Sequence, residues 1–189
     1  MTEENTFRRT APVSAQDPAV RPDAASTEST VDFAMLEPRD QLKTLLRAEM
    51  KDKPFSELSS VLFDHRGASI VGHILLDTLE EAGYSVDDFD AVGALTAAAV
   101  PLVSAMIQAA ASRGEGLNGF VMDFVYPSIK GPSIAGKRVM LIDSWLSEKS
   151  YVQTSSLVTL RNGNELSLDF SVVENEGAEV LAVASLIGG

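Results

Sequence analysis

The residues best placed to do chemistry stand at the end of an apolar run. Lys137-Arg138-Val139-Met140-Leu141-Ile142-Asp143-Ser144 is entered by two cations and leaves on an acid, the pattern of a buried strand that carries a carboxylate to the C-terminal edge of a sheet. A carboxylate there can accept from ribose hydroxyls or hold a metal-bound water; it can equally cap the next helix. Trp145 beside it can stack on a base or a sugar, or pack in a core. Ser147-Glu148-Lys149 reads by itself as a helix start. A second segment, Gly93-Ala94-Leu95-Thr96-Ala97-Ala98-Ala99-Val100-Pro101, puts glycine, threonine and small side chains between a strand and a helix. His65 and His73 fall about two helical turns apart without a third ligand near them, so they read as ordinary surface or core histidines. Asp87, Asp88 and Asp90 read as a solvated turn. No nucleophile elbow, Walker-type phosphate loop or dinucleotide glycine fingerprint occurs.

Composition narrows the rest. With 189 residues, 45% of them hydrophobic, the chain suits one domain with a tail. A net charge of −12 sets a repulsive field against phosphate backbones, so nucleic acid is not an expected partner. The absence of cysteine removes disulfides, thiolate zinc sites and a cysteine nucleophile, and two histidines do not make a His-rich metal site. No apolar run reaches the ~18 to 20 residues of a membrane span, and the first residues lack the apolar core of a secretory signal. The expectation is a cytoplasmic protein that does not engage a membrane.

The elements that must position these residues follow from periodicity. Residues 1–32 are rich in Ala, Pro, Ser, Thr and charge and read as a disordered tail, leaving 33–189 as the folded domain. Apolar residues at helical spacing predict helices over 38–52, 67–82 (with Gly83 as its C-terminal cap) and 97–112. Strands are expected at 89–95, 119–126 and 137–142, the last two separated by a loop over 127–136. Ser147 would start a helix ending at Asn162-Gly163, and alternation at 166–172 together with the run at 180–187 predicts a closing antiparallel hairpin. The class is α/β: a mostly parallel sheet flanked by helices, with a C-terminal strand hairpin. Sites in such sheets form at the C-terminal strand ends.

Over residues 40–175 the sequence resembles the type I phosphoribosyltransferases, most nearly the actinobacterial orotate phosphoribosyltransferases. Gly93, Leu95, Thr96 and Pro101 match the pyrophosphate loop and the proline that ends it, and Asp64-His65-Arg66-Gly67-Ala68-Ser69-Ile70-Val71-Gly72 has the look of a family helix. Lys137 to Asp143 resembles the strand that opens the motif for phosphoribosyl pyrophosphate (PRPP), with a match that continues through a helix to Gly163 and into a strand at 165–173. The resemblance implies a PRPP-type cleft, a nucleotide-metabolism setting linked to pyrimidines, a phosphorylated sugar or nucleotide as partner, and a homodimer.

The departures bear on chemistry. Where the family has two adjacent acids this chain has Asp143 and Ser144, and where it has a Thr-Thr-Gly-rich phosphate cradle this chain has Ser147, Glu148 and Lys149. Asp123 and Phe124 replace an Arg-Lys pair, and the shortened loop over 127–136 keeps Lys130 as its one cation. Ala98 and Val100 replace a glycine and a polar residue. Serines in Phe55-Ser56-Glu57-Leu58-Ser59-Ser60 stand where base-contacting arginines belong. A departing diphosphate must be held by cations, backbone and carboxylates, so the expected function is a non-catalytic, ligand-binding or regulatory relative without a cofactor. Its ligand-binding residues would be Asp143, Ser144, Trp145, Ser147, Lys149, Thr96 and Lys130. Two alternatives stand beside it: an active transferase using PRPP and magnesium, with Arg66 or Arg113 filling in for the lost groups, and an interaction module with a filled cleft.

Overall fold

A computed structural model of the chain describes residues 33–53, 58–123, 128–146, 158–161, 165–168 and 171–188. The chain divides into two units, Met1–Met35 and Leu36–Gly189, and the elements below all belong to the second.

Helix α1, Pro38–Glu49, starts on a proline whose fixed φ suits a first turn and buries Leu42 and Leu45. It stops short of the expected residue 52, with Asp52 in the left-handed region at φ 65°. A single turn, α2 (Ser59–Leu62), leads to α3, His65–Glu81. Asp64 caps α3, its carboxylate accepting from the Arg66 backbone N–H at 2.8 Å and from the guanidinium at 3.0 Å. Those bonds, the side-chain one first, hold the Asp64 carboxyl well below the usual carboxylate range. Gly83, at φ 91°, ends the helix in the expected way.

Strand β1 (Ala91–Ala94) is buried throughout. It leads through a 3-10 turn, Ala97–Ala99, into α4, Val100–Ser112, and then β2, Asn118–Asp123. The expected loop over 127–136 contains β3, Ser128–Lys130. The chain reverses there and supplies β2 with an antiparallel neighbour, satisfying an edge that would otherwise expose its N–H and C=O groups. Strand β4, Arg138–Leu146, is followed by β5 (Val158–Arg161), β6 (Glu165–Leu168), α5 (Ser171–Asn175) and β7 (Glu179–Gly188).

One sheet carries the order β3-β2-β1-β4-β7, with β1, β2, β4 and β7 parallel; β5 and β6 form a separate antiparallel pair. The mostly parallel α/β class therefore holds, but the C-terminal pairing differs from the sequence reading. Residues 158–161 form a strand, not the end of a helix; Val158 and Thr159 are β-branched, and an Asn-Gly pair suits a hairpin as well as a helix stop. Residues 147–157, the rest of that expected helix, lie outside the described residues. Val172 sits in α5, so the strand read at 166–172 ends at Leu168. The strand beside β4 is β7 rather than 165–173. The apolar run of β7 joins the sheet because β4, buried from Val139 to Ile142, needs a partner on the side away from β1.

Helices α3 and α4 cover one face. Bare glycines permit close packing: a Cβ on Gly72 of α3 would lie 2.1 Å from the Ala105 carbonyl oxygen of α4, and one on Gly119 of β2 would meet Val103 and Ile107 of α4. The opposite face packs Ala91, Leu95, Phe120, Val139 and Leu141 beneath Ile134, Val173 and Ala178. Gly93 lies inside β1, where the Phe120 ring crosses it.

Candidate functional site

From β1 the chain turns toward β2 by way of α4; from β4 it proceeds toward β7. Between those two strand ends lies the switch point of the sheet, the position at which doubly wound sheets commonly bind ligands. The ladder runs one residue past β1, as the Leu95 N–H donates to the Ile142 carbonyl at 2.9 Å. That contact sets Thr96 beside Asp143. The Thr96 hydroxyl donates to Asp143 Oδ1 at 2.9 Å, and the Ser144 backbone N–H donates to the same oxygen at 2.7 Å.

Asp143 and Ser144 are the buried polar residues of the described core, 7% and 5% exposed. Burial pushes the Asp143 carboxyl up, and hydrogen bonds from Thr96, Ser144 and the Trp145 backbone oppose it. All those opposing groups are uncharged. The arrangement is a buried carboxylate held by a hydroxyl and amides at a sheet's C-terminal edge, suited to accepting hydroxyl protons from a polyol.

Of the other residues singled out from sequence, Trp145 lies half-buried on β4 opposite Ile187 of β7. Ser147 and Lys149 lie outside the described residues, as do Phe55, Ser56, Glu57 and Phe124. Lys130 is exposed on β3, in register with Val121 and through it with Ala94 and Ile142. That places its backbone about three strand spacings, ~14 Å, from β4. Arg66 is engaged with Asp64. Arg113 closes the far end of α4, ~20 Å from that helix's start, and bridges Asp77 at 2.6 Å and Glu80 at 3.0 Å on α3. His73 meets the same guanidinium, while His65 is exposed beside Asp64. Arg113 is therefore fastened away from the start of α4. Among the described residues no group of three or more His, Asp or Glu side chains could hold a metal ion, and no helix is long and apolar enough to cross a membrane.

Sequence reasoning passed over Lys43, Arg47 and Lys51, which share one rim of a groove between α1 and β7. Their i, i+4, i+8 spacing is the signal that could have found them.

No family model matches the chain. By fold it is similar to a phosphoribosyltransferase of Corynebacterium diphtheriae (TM-score 0.51, 22% identity, 69% of this chain and 67% of that one). It is equally similar to the orotate phosphoribosyltransferase of Mycobacterium tuberculosis in complex with PRPP (TM-score 0.51, 22% identity, 70% and 66%). The architecture is thus that of the type I phosphoribosyltransferases. In sequence, the orotate phosphoribosyltransferase of Streptomyces avermitilis is 30% identical over 151 residues, 77% of this chain and 72% of that protein; the Streptomyces coelicolor enzyme is 29% identical over the same shares. The chain belongs to the orotate phosphoribosyltransferase family.

Proposed function

We propose that this chain is a ligand-binding member of its family. It takes a phosphorylated sugar or nucleotide at the Asp143–Thr96 crevice without transferring a phosphoribosyl group, in a regulatory role within nucleotide metabolism. The observation that carries this reading is the clasp at Asp143: the acid is kept at the switch point with uncharged partners, and Ser144 stands where a second acid would be. Such a site accepts hydroxyls. Steadying a departing diphosphate is a different task, in which each preorganised group contributes roughly 3 kcal/mol; Lys130 stands on the far edge strand and Arg113 is held by Asp77 and Glu80 at the other end of α4. One carboxylate with Oδ1 already engaged would hold magnesium only together with oxygens that a phosphorylated ligand brings.

The reading includes a homodimer. Residues 91–112 carry no charged side chain, and two copies of net charge −12 repel least through an uncharged surface. A groove of about 600 Å³ lies along that surface, lined by Leu62, Phe63, Val100, Pro101 and Ala105 among others, and Phe63 is 77% exposed.

The test uses the chain's single tryptophan. PRPP, ribose 5-phosphate and nucleoside 5′-monophosphates are titrated while Trp145 fluorescence and Tm are followed, and orotate consumption is measured with PRPP and magnesium. Saturable binding without turnover, lost in Asp143→Ala, is expected. Turnover would establish the active-transferase alternative instead, and silence across the panel would leave the interaction module.

A further inference from the structure

In a chain with 27 acidic against 15 basic side chains, one surface has the opposite sign. Lys43 and Arg47 lie one turn apart on α1 and Lys51 follows just past its end, so three cations are spaced at ~6 Å along a ~12 Å line. They rim a groove of about 570 Å³ whose apolar wall is Leu46 and Met50 on one side and Leu186 and Ile187 of β7 on the other. Lys43 is paired with Asp40 at 2.8 Å. Arg47 and Lys51 have no carboxylate partner among the described residues, and the nearby acids Glu49 and Asp52 do not line the groove.

We infer that this groove docks an acidic amphipathic segment of a partner protein, one in which carboxylates and apolar side chains alternate. The charge complementarity is direct. An extended chain repeats its side chains on one face every ~6.6 to 6.8 Å, matching the spacing of the cations, while its other side chains rest on Leu46, Met50, Leu186 and Ile187. The trough is open to solvent along its length, whereas a small-molecule site buries most of its ligand's surface. Ile187 of the groove pairs with Trp145 of β4, but the peptide assay reads the α1–β7 cations and the Asp143→Ala titration reads the acid, so this inference and the preceding one fail separately.

The experiment titrates the full chain into a short fluorescein-labelled peptide of alternating Glu and Leu, read by fluorescence anisotropy, with a Lys-for-Glu peptide as control. Saturable binding of the acidic peptide is expected. It should weaken roughly tenfold or more in the Arg47→Glu/Lys51→Glu variant and with added salt, and the basic peptide should bind that variant better than the parent chain. Lys51→Glu alone, in an exposed turn, gives a smaller effect in the same direction should the double variant fold poorly; unchanged Trp145 fluorescence reports folding. Absence of saturable binding, or equal binding by the charge-reversed variants, overturns the inference. So does charge-dependent binding to phosphatidylserine vesicles in place of the peptide, which would make the groove a lipid-surface contact.

Discussion

Asp143 carries two burdens, a buried charge and a bond to a residue far away in sequence. Its raised carboxyl means that the fold favours the protonated form. The contribution of Asp143 to stability is therefore fully present below the ordinary carboxylate range and is lost as pH rises through the raised value, because ionising a buried acid costs more than ionising the same acid in the unfolded chain. Asp143→Asn keeps an acceptor for Thr96 and Ser144 and removes the charge. It should raise Tm at pH 7, and the gap should close as pH falls below the carboxylate range. A lower Tm at pH 7, or a pH-independent gap in thermal scans, would contradict this account. The residue type and its place after a buried apolar run were legible in the sequence, but the expected strand stopped at 142, whereas β4 continues to Leu146 and holds Asp143 inside it. The Thr96 bond was not legible, because periodicity reports a residue's face and depth but never its partner across a sheet.

Among the elements, α3 and α4 depend on contact without side chains. At Gly72 the backbone of α4 stands where a Cβ would go, 2.1 Å from the Ala105 oxygen, and backbone cannot yield as the tip of a long side chain can. Gly72→Val should destabilise by at least about 1–3 kcal/mol, read as a lower urea midpoint. Gly116→Ala, where nothing lies within 4 Å, should change it by no more than roughly 0.5 kcal/mol. The three main helices and the strands around 91–94, 118–123 and 138–146 were legible because apolar spacing and their caps agree. The C-terminal third was not, since an Asn-Gly pair and a run such as Val180 to Ile187 are compatible with more than one pairing. Only the vacancy beside β4 selects the parallel one.

At the scale of the whole molecule, association must contend with like charge. A dimer through the uncharged groove beside Phe63 should form at micromolar concentration in sedimentation equilibrium, tighten as salt screens the repulsion, and dissociate in Phe63→Glu; a monomer at every concentration would refute it. The sequence by itself determined that the chain folds around a mostly parallel sheet, that an acid follows a buried apolar run, and that thiol and multi-histidine chemistry are absent, because composition, periodicity and turn residues act locally. Tertiary structure decided which strand flanks β4, that Arg113 is fastened at the far end of α4, that Thr96 closes on Asp143, and that Lys43 and Arg47 of α1, with Lys51 just past it, share a groove with the end of β7. Each of these joins segments distant along the chain, and such contacts are chosen by competition for buried surface and unpaired backbone, which no local pattern of residues encodes.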